Sequence, residues 1–174
     1  FLRRLGLQHG FTVCVVHGLV CRGVPVSSSR IRVALAEGDL AQATECLGRP
    51  YRLLGTMGCR QPQSEGQGGY SLCDVAVLPT RLVPGSGAYA CEVQMEDNRP
   101  TNGIAYVVNG DRQKAVSTSL ICALPGREKP VQRQSVSIDF ITRLRRLRKD
   151  DSSRMAPTAV SDDLALAQRT LGKP

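Results

Sequence analysis

Within six residues, Ser27-Ser28-Ser29-Arg30-Ile31-Arg32 gather three hydroxyls and two guanidinium groups. A strand-like Val24-Pro25-Val26 precedes them, and Val33-Ala34-Leu35-Ala36-Glu37 continues as a helix until Gly38. Ser29 is placed to cap that helix, its hydroxyl accepting from one of the N–H groups that a helix start leaves unpaired. Free N–H groups, hydroxyls and arginines at a helix N-terminus can hold a phosphate. Ser27, Ser28, Ser29 and Arg32 are therefore the candidate phosphate-binding residues. The plainer alternative is a Ser-capped helix with two solvated arginines.

The elements around this stretch fall into two textures. Residues 1–10 read as a helix ending at Gly10. The β-branched run Phe11-Thr12-Val13-Cys14-Val15-Val16 reads as a buried parallel strand. Strand, loop and helix in that order suit the last unit of an open α/β nucleotide-binding sheet. A second helix follows Gly38, capped by Asp39 with Gln42 three residues on, carrying Leu40, Ala43 and Leu47 as its apolar stripe and ending at Gly48. Beyond Arg49-Pro50 the pattern changes to short alternating strands. Tyr51, Leu53, Gly55 and Met57 share a face, as do Tyr89, Cys91, Val93 and Met95, then Val116, Thr118, Leu120, Cys122 and Leu124, and finally Val136, Ile138 and Phe140. Gly58 to Gly69 reads as a mobile loop, and Asn109-Gly110 as a hairpin turn after Ile104–Val108. The strands predict a small antiparallel barrel, closed by a helix capped at Ser161 with Leu164, Ala167, Gln168 and Leu171 on one face. The expected fold class is thus mixed: the tail of an α/β domain over residues 1–48, then a β-barrel with a C-terminal helix over 49–174.

Composition narrows the function classes. A hydrophobic share of 41% places the chain with globular domains. With no Trp, four Tyr and three Phe, stacking platforms for single-stranded nucleic acid are scarce. A net charge of +8 suits anionic partners without choosing among them. The sharpest basic cluster, Arg143, Arg145, Arg146, Arg148 and Lys149, is a candidate anion contact, with a solvated helix face as the structural alternative. Seven scattered cysteines without a C-x-x-C pair argue against a complete disulfide framework and against a zinc site, and read as mostly small buried apolar residues in a reducing intracellular compartment. The longest apolar run is too short to span a membrane. Because the first residue is Phe1 and already looks like part of a domain, the chain reads as a piece of a longer protein.

Ser27-Ser28-Ser29-Arg30-Ile31-Arg32, then Gly38-Asp39, then Leu47-Gly48-Arg49-Pro50-Tyr51, resemble an ordered motif series of the bacterial and plastid FAD synthetases. Leu82 to Ala90 is similar to the Pro-x-x-Gly-x-Tyr region of their riboflavin kinase module, and Val136 to Arg145 to its final strand. The resemblance implies an adenylyltransferase tail at 1–48 and a riboflavin-kinase-like barrel at 49–174. It further implies ATP, Mg and riboflavin or FMN as substrates and cofactors, and the bacterial cytoplasm or plastid stroma as location. Where the family has Gly-[Phe/Tyr]-Pro-Thr-Ala-Asn, this chain has Gly69-Tyr70-Ser71-Leu72-Cys73-Asp74. Gly69, Tyr70 and Asp74 are then the kinase-motif remnants, with Asp74 the one metal ligand the resemblance leaves. Ser117 falls at the position of the family's general-base Glu, and serine is a poor base near neutral pH. Tyr70 and Tyr89 are candidates to face a flavin or to pack in the barrel. The functional expectation is a riboflavin kinase/FAD synthetase-like protein of flavin biosynthesis with a degenerate kinase site. The alternative is a non-catalytic binding or assembly module built on the same barrel.

Overall fold

The computed structural model describes residues 1–59, 69–96, 99–110, 118–126, 133–147 and 157–172. Residues 60–68 of the expected Gly58–Gly69 loop, with Val116, Ser117, Arg148 and Lys149, lie outside them, and Gly58 and Cys59 end a strand instead. Helix α1 (Leu2–His9) ends at Gly10 in the left-handed conformation, as its sequence predicts. Strands β1 (Val20–Cys21) and β2 (Val24–Pro25) make a small hairpin. Helices α2 (Ser28–Glu37) and α3 (Leu40–Leu47) follow, separated by Gly38 with φ 71° and Asp39, whose carboxylate accepts from the Gln42 N–H at 3.0 Å.

Six strands then form a closed antiparallel barrel: β3 (Tyr51–Cys59), β4 (Tyr70–Ala76), β5 (Gly87–Met95), β6 (Thr101–Val108), β7 (Ser119–Pro125) and β8 (Gln134–Arg145), in ring order β3-β4-β7-β6-β5-β8. Period-two alternation decides what fills it. Leu53, Met57, Tyr89, Cys91, Val93, Met95, Leu120, Cys122, Leu124, Val136, Ile138 and Phe140 all point inward and are buried. These are the faces the sequence alternation predicts. The interior cluster continues into Ala34 and Leu35 of α2 and Leu40 and Ala43 of α3, so both helices pack on the barrel.

The outward face of β5 is not wholly solvated. Ala88 and Ala90 are buried with Ile104 and Tyr106 beneath α4 (Pro157–Leu171), which contributes Val160, Leu164 and Ala167. That helix begins a turn before the predicted cap at Ser161, because proline suits the first helical position. Gln168 is exposed, and Asp163 takes a place on the buried face instead.

Two further expectations change. Phe11–Val16 forms no strand: Phe11, Val15 and Val16 are exposed, and no strand pairing involves the segment. A parallel strand needs a neighbour, and the closed ring leaves no free edge to supply one. Asn109-Gly110 does not make a two-residue hairpin, because the β6–β7 register pairs Val108 with Ser119. Asn109 instead donates from its backbone N–H to Ser86 Oγ at 3.0 Å and from its amide to the Pro84 carbonyl at 3.3 Å.

Candidate functional site

At the start of α2 the cap is Ser27, not Ser29. Ser27 lies in extended backbone (φ −141°, ψ 154°) and its hydroxyl accepts from the Arg30 N–H at 3.2 Å. Ser28 and Ser29 are the first two helical residues and are exposed. Arg30 is spent inside the chain. Its guanidinium donates to the carbonyls of Cys21 and Val24 at 2.9 and 3.0 Å, holding the β1–β2 hairpin to the helix. Arg32 is exposed and makes no hydrogen bond or ion pair with any described residue. The hairpin is fixed on its other side by Arg22, which donates to Glu45 of α3 at 2.6 Å. Beneath that pair burial pushes the Cys21 thiol up to about 11, with Cys46 and Glu45 adding to it. Ser28, Ser29 and Arg32 therefore share one exposed helix start, while Ser27 and Arg30 shape it.

On β4 the motif residues divide by parity. Ser71, Cys73 and Val75 alternate with Tyr70, Leu72 and Asp74. Tyr70 is buried in the apolar cluster under α4, and Leu72 packs against the same cluster. Asp74 is exposed and paired in register with Gly58 and Ile121, while Gly69 precedes the strand and its carbonyl accepts from the Gly126 N–H at 2.9 Å. Among the described residues no three His, Cys, Asp or Glu side chains converge. On its face of β4 Asp74 is an exposed carboxylate two residues from the half-buried Leu72, whose side chain has no oxygen to offer a hard cation. Cys21, Cys46, Cys91 and Cys122 are buried free thiols, as the sequence predicts for most of the cysteines, while Cys14 is exposed and Cys73 is disulfide-bonded.

Tyr89 packs inside the barrel. It is wholly buried, edge-on to Phe140 with ring centroids 5.4 Å apart, and its hydroxyl donates to the Gly85 carbonyl at 2.5 Å. Burial raises its pKa and Arg143 partly opposes the shift.

The basic cluster begins on a strand rather than a helix face, since β8 runs to Arg145. Arg143 donates to the Glu37 carbonyl at the end of α2 at 2.5 Å, where a cation also suits the helix dipole. Arg145 grips Asp163 of α4 with Nε at 3.1 Å and Nη2 at 2.8 Å. Tyr106 donates to the same carboxylate at 3.0 Å. Sequence reasoning missed Tyr106 and Asp163. The available signal was an acid at helical spacing from apolar residues, since Asp163 lies three residues after Val160 and four before Ala167.

With this geometry in hand, similarity to known proteins locates the chain. It is 30% identical over 179 residues to the bifunctional riboflavin kinase/FMN adenylyltransferase of Pseudomonas fluorescens, across the whole chain and 55% of that protein. The chain is a relative of the riboflavin kinase/FMN adenylyltransferases. Over 108 residues it is 31% identical to the Escherichia coli K12 protein of that name, spanning 61% of this chain and 33% of the relative. Over 76 residues it is 41% identical to the chloroplastic FAD synthetase 1 of Arabidopsis thaliana, spanning 43% of this chain and 21% of that one. The chain thus spans about half the length, or less, of the curated relatives it matches. No protein-family profile matches it. A crystal structure of a macrolide-efflux protein from Streptococcus pneumoniae shares the fold, with a TM-score of 0.70 and 19% identity over 91% of this chain and 52% of that one. The six-stranded barrel with its α4 buttress is riboflavin-kinase-like. Among the described residues no helix is long and apolar enough to cross a membrane.

Proposed function

We propose that this chain is the C-terminal part of a FAD-synthetase-like protein of flavin biosynthesis. Residues 1–48 end an adenylyltransferase α/β domain and residues 49–174 form a riboflavin-kinase-derived barrel. The observation that carries this reading is similarity along the whole chain to a bifunctional riboflavin kinase/FMN adenylyltransferase, joined to a closed barrel. The exposed, unpaired β-branched segment Phe11–Val16 supports the first division, because a parallel strand needs sheet neighbours to be buried. The substrates under this reading are riboflavin and ATP with Mg, or FMN and ATP in the complete protein. Ser28, Ser29 and Arg32 would steady nucleotide phosphate at the start of α2. The bacterial cytoplasm or plastid stroma fits the bacterial and chloroplastic relatives.

A second reading has its own support. Leu72 is packed against the α4 cluster at the position where the family places a metal-orienting threonine, and Asp74 is its sole acidic neighbour on that face of β4. A barrel so altered serves as a binding or assembly module, with Arg143 and Arg145 already engaged within the chain. Incubation with riboflavin, ATP and magnesium, following FMN by chromatography and flavin binding by fluorescence quenching, separates the two. Turnover supports the kinase reading. Binding without turnover supports the module, and the absence of both binding and turnover would overturn the flavin role of this chain.

A further inference from the structure

The outer wall of the barrel carries a groove of about 740 Å³, away from the β4 motif positions and the start of α2. Its floor is set by strand parity. Leu53, Met57, Val136 and Ile138 point inward, so Leu54, Thr56, Ser135 and Ser137 point out. The β3–β8 register pairs Leu54 with Ser137 and Thr56 with Ser135. Three hydroxyls therefore surround one leucine that is 49% exposed.

The facing wall is the segment after β4, where Leu78 is 66% exposed. That wall is held in place. The Arg81 N–H donates to the Leu78 carbonyl at 2.9 Å, and Tyr51 Oη donates to the Leu82 carbonyl at 2.6 Å. Two exposed leucines edged by hydroxyls give the groove apolar surface on which a flat ring can lie.

Charge gives the slot a direction. Glu96 lines one end. Arg81 stands at the other, exposed, with no side-chain hydrogen bond or ion pair to any described residue. Arg81 also lines an adjoining recess of about 410 Å³ with Arg49, Arg52 and Asp139. Asp139 is already neutralised by Arg52 through contacts of 2.7 and 2.5 Å, so the recess keeps a positive surplus. The first volume lies within the range of about 300–1,000 Å³ typical of small-molecule sites.

We propose that this groove binds a flat aromatic ligand carrying an anionic group, with the ring on Leu54 and Leu78 and the anion at Arg81. The ligand class follows from the groove and does not depend on the flavin reading. Amide chemical-shift mapping on the full chain tests it, with 1-naphthyl phosphate as the probe and 1-naphthol as its uncharged counterpart. Saturable shifts should centre on residues 54–56, 76–81 and 135–137. Arg81→Gln should weaken the phosphate about fivefold, the size of one exposed ion pair, and leave the naphthol unchanged. Ser137→Trp should block both, with the remaining amide spectrum reporting an intact fold. Shifts centred on Phe1–Val24, or equal affinity of wild type and Arg81→Gln for the phosphate, would overturn the proposal. FMN and AMP arms then identify the ring: groove shifts with either assign the site to that nucleotide. If naphthyl phosphate binds there and FMN binds nowhere on the chain, the groove stands while the flavin reading loses support, and if FMN binds elsewhere the flavin reading stands while the groove is not its site.

Discussion

Asp163 is a carboxylate 7% exposed, and its two partners come from different strands. Tyr106 on β6 and Arg145 at the end of β8 converge on it, so one buried acid fastens α4 across the barrel wall. Burial raises the Tyr106 phenol pKa, and the neighbouring carboxylate raises it further. The sign follows from linkage. With the folded pKa above the unfolded value, this contribution is complete below about pH 10 and is lost as pH rises past the ordinary tyrosine range. Thermal melts by circular dichroism should therefore fall steeply above pH 10, and Tyr106→Phe should flatten that limb while lowering stability near neutrality by about 1 kcal/mol. An unchanged alkaline limb in the variant would remove Tyr106 as its cause. Neither residue was chosen from the sequence. The predicted stripe of Leu164, Ala167, Gln168 and Leu171 left Asp163 out, and nothing local shows which distant arginine and tyrosine would satisfy it.

At the scale of elements, α2 is the clearest test of how hydroxyls are used. Ser27, Ser28 and Ser29 are chemically equivalent, and the sequence pointed to the third of them as the cap. What selects Ser27 is backbone: it is extended while its neighbours are already helical. Ser27→Ala should cost about 1 kcal/mol in urea unfolding, and Ser29→Ala less than about 0.5 kcal/mol. The reverse order would restore the original reading. Strand faces were more legible, because alternation of large apolar residues is a local signal. Tyr89, Cys91, Val93 and Met95 point inward as predicted. Ala88 and Ala90 were not legible as buried, since alanine suits either face until α4 covers it. The β4 motif was legible as a departure from the family pattern, whereas its consequence, Leu72 packed against the α4 cluster, is a tertiary fact.

Across the whole molecule, the joint between α2 and the barrel is built from backbone contacts at unusually small separation. Gly85 donates its N–H to the Leu35 carbonyl at 2.8 Å, and a Cβ on Gly85 would stand 2.2 Å from the Ala36 carbonyl oxygen. Gly85→Ala should therefore push α2 off the barrel at a cost of about 2 kcal/mol, with amide exchange rising first in α2 and α3. Uniform loss of protection throughout the barrel would show instead that the helices and barrel unfold as one unit. The barrel class was legible from the spacing of strands, but the ring order was not, because placing β8 between β3 and β5 depends on contacts remote in sequence. That closure has a consequence for synthesis. The first barrel strand can seal only against the last, as the bond from Arg52 to Asp139 across 87 residues records. A nascent chain emerging from a ribosome would carry an open-edged sheet until β8 had cleared the exit tunnel. Pausing before that point should favour strand exchange between neighbouring nascent chains, and α4 would arrive only after the ring was able to close.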